Sequence, residues 1–232
     1  MTQTNSEILI IEDDKEINGL LATYLKEEGF QVIQAYSGLE GLPYITGDLS
    51  LVLLDLMLPR MQGEQVLDEI RKFSDVPVIV ISGKVALTDK VSLLNAGADD
   101  YITKPFQRKE VIARVKATLR REHLHLKSDQ NREYTFMKLR LDESSHEVWW
   151  DDTQINLTQT EFAVLATMMK APGEVHSRDD LYAKVWNTSY FGDDNAITVH
   201  ISRLRQKLKR ASGIDLIETV WGIGYKFRKE AQ

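Results

Sequence analysis

Short apolar runs alternate with amphipathic stretches through the first half of the chain. Ile8–Ile11, Phe30–Gln34, Leu51–Leu54, Val78–Ile81 and Tyr101–Thr103 read as five strands, and the third and fourth are apolar throughout. A run without polar alternation suits a strand covered on both faces, as in a parallel sheet. Between the runs, apolar residues recur at helical spacing: Ile17, Leu20, Leu21, Tyr24 and Leu25; Val66, Leu67 and Ile70; Val91 and Leu94; and Val111, Ile112, Val115 and Leu119. Each set makes a single stripe, so each helix has one face to bury. Strands alternating with such helices predict βαβ units and a doubly wound, five-stranded parallel sheet. Gly29 is placed to stop the first helix, and Pro59 and Pro77 keep loops from becoming helical.

The pattern breaks at Glu122–Glu133, which is polar and has no sustained apolar period. We read residues 1–121 as one domain, 122–133 as a linker and 134–232 as a second domain. The second domain opens with strand-like alternation through Trp150, continues with three helical patterns and closes on a short strand pair, which makes it α+β. Thr158-Gln-Thr-Glu161 has the form of a capping box, and Ser177-Arg-Asp-Asp180 starts another helix with a cap and acids in its first turn.

Composition narrows the function classes. The chain has 232 residues, 43% hydrophobic, and no cysteine, which removes disulfides, thiolate zinc sites and thiol nucleophiles together. No stretch approaches the roughly 18 apolar residues of a membrane span, and the first residues lack a signal-peptide pattern, so a cytoplasmic location without membrane attachment is expected. The net charge of -6 argues against indiscriminate nucleic-acid binding. Its distribution matters more. Residues 195–214 hold Arg203, Arg205, Lys207, Lys209 and Arg210 with no acid among them.

Candidate chemistry in the first half shares one address. Glu12, Asp13 and Asp14 follow the first strand, Asp55 ends the third, Ser82 ends the fourth and Lys104 follows the fifth. In an open parallel sheet the carboxyl ends of the strands form the ligand crevice. Crowded carboxylates repel one another unless a cation sits among them, and an all-oxygen set suits Mg²⁺. Asp55 is then placed as a nucleophile toward a phosphoryl group, with Lys104 neutralising the transferring oxygens and Ser82 hydrogen-bonding the product. Lys104-Pro105 is a candidate cis peptide.

Ile10-Ile-Glu-Asp-Asp14, Leu53-Leu-Asp-Leu-Met-Leu-Pro59 and Gly97-Ala-Asp-Asp-Tyr-Ile-Thr-Lys-Pro-Phe106 resemble, in this order, the signature segments of response-regulator receiver domains, which have the flavodoxin-like fold. The resemblance implies Asp55 as phosphoacceptor, with Mg²⁺ held by Asp13, by Asp55, by Glu12 through water and by the Met57 carbonyl. It implies Ser82 and Tyr101 as switch residues and Lys104 as the phosphate-contacting cation. It also implies a sensor histidine kinase as partner and a homodimer on phosphorylation. The dimer face would be made by the last two helices of this half and the strand between them. Charges there could pair within or across subunits: Lys90 with Glu110, Asp99 with Arg121, and Asp100 with Arg114.

The basic stretch reads as a two-faced helix. Ile197, Ile201, Leu204 and Leu208 form its core stripe, while Asn195, Val199, Ser202, Arg203, Gln206 and Arg210 project oppositely, with Thr198, Arg205 and Lys209 on the flanks. Such a face fits a DNA major groove. Two glycines one residue apart in Thr219-Val-Trp-Gly-Ile-Gly-Tyr-Lys-Phe227 predict a tight hairpin after it, the layout of a winged helix. With Leu157–Leu165, Ser177–Leu181, Val185-Trp186 and Val199–Leu208, these segments resemble the output domain of OmpR/PhoB-type regulators. The resemblance implies double-stranded DNA as partner, contacted by Val199, Arg203 and Arg205, with His200 at a phosphate and Thr219 and Tyr225 of the wing near the backbone. Ser202, Gln206 and Lys209 complete the expected DNA face, and Trp186 is assigned to the core. The loop 187–194 would be the contact for RNA polymerase. Three positions depart from the family: Asn195 and Ser202 replace frequent cations, and Trp221 stands where some members place an Arg.

The combined reading is a phosphorylation-controlled transcription factor, not an enzyme, binding tandem half-sites as a dimer. A Mg²⁺-dependent phosphatase is the competing enzyme class, but such enzymes carry a second Asp two residues after the nucleophile, where this chain has Met57. A DNA-binding protein with a vestigial receiver is the third reading.

Overall fold

The computed structural model of the chain describes residues 6–83, 96–126, 133–186 and 195–228. It divides into two compact units, Met1–Leu119 and Arg120–Gln232. No helix among the described residues is long and apolar enough to cross a membrane.

In the first unit, β1 (Glu7–Ile11), β2 (Gln31–Ala35), β3 (Leu49–Asp55), β4 (Val78–Ser82) and β5 (Asp100–Thr103) form one sheet in the order β2-β1-β3-β4-β5. Every neighbouring pair is parallel, as the apolar runs of β3 and β4 require. The strand order reverses between β1 and β3, and the crevice at such a switch point is where ligands bind. Register makes the site there: Ile11 lies opposite Leu54, Asp55 opposite Ile81 and Ser82 opposite Thr103. The residues that leave these strands therefore emerge at one edge.

Four described helices accompany the sheet: α1 (Lys15–Glu27), the short α2 (Gly38–Gly41) running into a 3-10 turn (Leu42–Tyr44), α3 (Gly63–Phe73) and α4 (Arg108–Leu126). Asp14 caps α1, its Oδ1 accepting from the amides of Glu16 at 2.8 Å and Ile17 at 3.1 Å. Gly29, at φ 89°, takes the left-handed conformation that ends it. Ile8, Ile10, Leu53, Ile79 and Ile81 on one sheet face pack with Leu21 and Leu25 of α1 and Val111, Val115 and Leu119 of α4. The alternate strand residues Leu9, Ile11, Val52, Leu54 and Val80 are equally buried, as are Val66, Leu67 and Ile70 of α3. α2 escapes a periodicity reading because four residues carry no stripe. The stretch expected as linker begins inside α4, which continues to Leu126; Glu122–Leu126 contains neither Gly nor Pro, so nothing stops the helix propagating.

The second unit opens with an antiparallel meander of β6 (Glu133–Phe136), β7 (Leu139–Asp142), β8 (Glu147–Trp150) and β9 (Thr153–Gln154). It continues with α5 (Gln159–Met169), β10 (His176–Ser177), α6 (Arg178–Trp186), α7 (Asn195–Ser212), β11 (Ile217–Val220) and β12 (Gly224–Phe227). The last strands and β10 form a three-stranded sheet, β10-β12-β11. The capping box at α5 is complete, Thr158 N donating to Glu161 Oε2 at 2.9 Å and Glu161 N to Thr158 Oγ1 at 3.4 Å. Ser177 Oγ likewise accepts from Asp180 N at 3.0 Å. Phe162, Leu165, Leu181, Trp186, Ile197, Ile201, Leu204, Leu208 and Phe227 share one core. The two glycines of the hairpin have separate reasons. Gly222 has φ 73° in the turn, whereas a Cβ on Gly224 would collide with the His176 carbonyl of β10. The helical pattern at Val91 and Leu94, the segment 127–132 and the loop 187–194 lie outside the described residues.

Candidate functional sites

At the switch point, β1 delivers Glu12 and Asp13, and β3 ends on Asp55. Carboxylate oxygens of these three residues all lie within 4.8 Å of one another, with Glu12 and Asp55 buried and Asp13 exposed. Lys104, just past β5, donates from Nζ to Glu12 Oε2 at 2.8 Å and to Asp55 Oδ2 at 3.0 Å. The Met57 amide donates to Asp55 Oδ1 at 3.2 Å, so both oxygens of Asp55 are held. The Lys104-Pro105 peptide is cis, and Lys104 N donates to the Ser82 carbonyl at 2.8 Å, tying the ends of β4 and β5 together. The Ser82 and Tyr101 side chains are buried.

The electrostatics are those of a site short of positive charge. Burial pushes the Glu12 carboxyl up to about 7; Lys104 opposes this and the Asp55 charge reinforces it. Desolvation pulls the Lys104 ammonium down, but its bonds to Glu12 and Asp55 more than offset this and leave it above its ordinary value. One ammonium is thus shared between two buried carboxylates, with a third beside them. Three converging oxygen donors and an exposed edge at Asp13 are a donor set that a hard divalent cation fits.

In the second unit, the hairpin of β11 and β12 is bound to α7. Arg205 donates from Nε to the Ile217 carbonyl at 2.9 Å and from Nη2 to Thr219 Oγ1 at 2.7 Å, and its guanidinium lies 5.5 Å from the centre of the Tyr225 ring. Tyr225 Oη donates to Thr198 Oγ1 at 3.3 Å. Thr198, Ser202, Gln206, Lys209 and Arg210 are exposed along the outer side of α7.

Both halves match known families. Residues 8–116 match the response regulator receiver domain, and residues 152–227 match the family described as transcriptional regulatory protein, C terminal. The transcriptional regulatory protein SrrA of Staphylococcus aureus is 38% identical over 231 residues, covering 96% of this chain and 95% of that protein. The chain is a two-component response regulator of the OmpR/PhoB type. Among solved structures, a RitR C128S mutant is similar at TM-score 0.81 and 26% identity over 97% of this chain and all of that one. The Thermotoga maritima OmpR/PhoB homologue DrrB is similar at TM-score 0.52 and 27% identity over 97% of this chain and 99% of that one. As a member of this family, the response regulator is a DNA-binding transcription regulator and not an enzyme.

Several expected DNA contacts of the regulator need correction. Val199 and His200 are buried, and His200 lies 5.8 Å from Trp186 in the core, ring centre to ring centre. The buried arc of α7 is wider than its four-residue stripe because α5 and α6 both pack on it. Arg203 also turns inward, with Nε 3.1 Å from Oε1 of the fully buried Glu161. Lys207 meets the other oxygen of Glu161 at 2.7 Å, and Lys209 meets Asp215 at 3.0 Å. Tyr225 is buried too, its hydroxyl spent on Thr198 rather than directed outward. Ser202, Gln206, Lys209 and Thr219 are exposed as expected, with Arg205 half-buried. Nothing is described of the Asn195 side chain.

On the expected dimer face, Arg114 Nη1 of the same chain donates to both carboxylate oxygens of Asp100, at 2.9 and 3.0 Å, and Arg114 Nε lies 3.3 Å from Glu110 Oε1. Asp99 is a correction: it is buried and accepts from Arg71 Nη2 at 2.8 Å and Val78 N at 3.0 Å. Successive residues at a strand start point to opposite sides, so Asp99 and Asp100 cannot share a face. Lys90 and the Arg121 side chain lie outside the described residues.

Sequence reasoning missed the supports. Asn18, fully buried on α1, donates to the Glu12 carbonyl at 2.9 Å and the Ala35 carbonyl at 3.0 Å, and accepts from Gln34 at 2.8 Å. Its signal was an amide beside an apolar stripe, one turn before Leu21 and Ala22. Arg71 was unmarked, yet it also donates to the carbonyls of Gly97 at 3.0 Å, Ser74 at 3.2 Å and Val76 at 2.7 Å.

Proposed function

We propose that Asp55 is the phosphoacceptor of this response regulator, and that its phosphorylation by a sensor histidine kinase drives a dimer whose winged helices bind tandem DNA half-sites. The observation that carries this reading is the convergence of Glu12, Asp13 and Asp55 around Lys104 at the switch point of the sheet. Residues 1–121 would form the receiver and 134–232 the output domain, joined by 122–133, in the cytoplasm.

Glu12, Asp13, Asp55 and the Met57 carbonyl are the groups that would hold Mg²⁺. When bound, the ion would supply positive charge that offsets the clustered carboxylates and neutralises phosphoryl oxygens. An Asp55 oxygen attacks phosphorus of the kinase phosphohistidine; the P–N bond breaks and its electron pair returns to the imidazole. Lys104 is already bonded to Asp55 and moves its ammonium onto a phosphoryl oxygen as the acylphosphate forms. The Ser82 hydroxyl donates to another oxygen, and Tyr101 fills the space that Ser82 leaves, which changes the surface around β5. Dimerisation then presents two winged helices together, raising their joint affinity for adjacent half-sites. The readers we assign are Thr198, Ser202, Gln206, Arg205 and Lys209, with Thr219 at the backbone.

DNA affinity measured with and without acetyl phosphate and Mg²⁺ tests this. The wild-type chain should dimerise and bind on the order of a hundredfold more tightly when phosphorylated, and Asp55→Asn should respond to neither. Equal affinity in all conditions would mean that the receiver does not control the output domain.

A further inference from the structure

Asn18 lies where the pattern of α1 calls for an apolar residue. With Leu21, Ala22 and Leu25 it makes the buried side of the helix, at the spacing i, i+3, i+4, i+7. Asparagine is a poor residue for a helix interior, and an amide out of water is costly unless its polar groups are bonded. Here both amide hydrogens and the oxygen are engaged. Nδ2 donates to the Glu12 carbonyl at 2.9 Å and the Ala35 carbonyl at 3.0 Å, and Oδ1 accepts from Gln34 Nε2 at 2.8 Å. Two carbonyl acceptors on one side fix which end of the amide is nitrogen.

These bonds converge on the start of the acidic loop. The Ala35 carbonyl, at the end of β2, also accepts from Glu12 N at 3.1 Å, so Asn18 ties α1 to β1 and β2 at the point where the chain leaves β1. Its backbone amide donates to the Asp14 carbonyl at 2.9 Å, and the Asp14 side chain is held in turn by the amides of Glu16 and Ile17. Asp13 thus sits between two residues that one asparagine holds, Glu12 through its side chain and Asp14 through its backbone.

Asp13 depends on such support more than its neighbours do. Glu12 and Asp55 are buried and share Lys104. The Asp13 carboxylate is exposed and has no hydrogen bond or ion pair among the described residues. Three carboxylates within 4.8 Å repel one another, and the exposed one relieves that repulsion most readily by turning toward water. A backbone fixed on both sides of Asp13 keeps it in reach of the cluster.

Resting on the metal reading of the acidic cluster, we propose that Asn18, steadied by Gln34, is a positioning residue for the phosphorylation site. By holding the Glu12 and Asp14 carbonyls it aims Asp13 into the cluster before any ion arrives, and so sets the affinity of the site for a divalent cation. Groups that orient metal ligands in this way act on affinity without touching the ion.

The test titrates the full-length chain with Mg²⁺ alone and reads binding from the rise in melting temperature. Asn18→Leu keeps the size of the side chain and its place on the buried stripe but removes all three bonds. It should weaken Mg²⁺ binding by about tenfold or more, and Gln34→Leu should do so by a smaller factor. In chelator, amide exchange at Glu12 should accelerate in both variants, a readout that needs no metal. Leu21→Ala, on the next turn of the same stripe, should lower the melting temperature in chelator yet keep wild-type Mg²⁺ affinity. Wild-type affinity in Asn18→Leu would overturn the assignment; if that variant does not fold, wild-type affinity in Gln34→Leu, where the replaced side chain is half-buried, would overturn it instead. Equal weakening in Leu21→Ala would also overturn it, because lost stability alone would then be the cause. A wild-type chain whose melting temperature ignores Mg²⁺ would overturn both the positioning role and the metal reading beneath it.

Discussion

Arg203 on the basic helix and Glu161 on α5 form an ion pair of 3.1 Å in which the carboxylate is fully buried. Glu161 also completes the cap of its own helix and takes Lys207 at 2.7 Å, so one acid fixes both the start of α5 and the rotation of α7. Two of the cations that make residues 195–214 look basic are thus spent inside the domain. Replacing Glu161 with Ala would remove the buried carboxylate that Arg203 and Lys207 share, together with half the capping box. Chemical denaturation of the output domain should show a loss of about 3 kcal/mol or more. A loss below about 1 kcal/mol would mean that the cluster is loosely held.

Arg71 to Ala should be similarly costly in the receiver. Its guanidinium satisfies three carbonyls and the buried Asp99. Truncation leaves an acid without its main counter-charge, which is expected to cost about 3 kcal/mol. Thermal melting checks this, and Arg71→Ala combined with Asp99→Asn should recover part of the loss.

Gly224 to Ala tests the sheet that carries the hairpin. The new methyl would meet backbone atoms of His176 and Ser177, which have no rotamer to relax into. Either β10 separates from β12 or the hairpin shifts, at about 2 kcal/mol or more. Amide exchange at Tyr225 and His176 should accelerate; unchanged protection there would argue against the pairing.

Lys104 to Met removes the ammonium between Glu12 and Asp55. In chelator the variant should be less stable than wild type by on the order of 1–3 kcal/mol, because two buried carboxylates then face each other. Added Mg²⁺ should raise its melting temperature more than that of wild type. Equal responses would mean that Lys104 is not what balances the acidic cluster.

The receiver was legible because its determinants are local in sequence and periodic. Apolar runs gave the strands, and chemistry just after each strand gave the site, since parallel strands put their carboxyl ends together. What stayed hidden was non-local. Asp99 and Asp100 look alike in a charged motif, but one faces Arg71 and the other Arg114, a difference that appears only when α3 and α4 are in place. On α7 the wheel identified the core stripe correctly. It could not anticipate that two neighbouring helices would widen the buried arc to take Val199 and His200, or that Glu161 would draw Arg203 inward. The wing was recognised by its glycines, whereas the strand β10 that requires Gly224 is only two residues long and leaves no pattern.

Intact-mass measurement followed by peptide mapping, after incubation with acetyl phosphate and Mg²⁺, tests the account most directly. A single added phosphoryl group should map to Asp55 in the wild-type chain, be prevented there by chelator, and be absent in Asp55→Asn. A phosphoryl group mapped elsewhere, or retained undiminished in Asp55→Asn, would contradict the assignment on which the control of DNA binding depends.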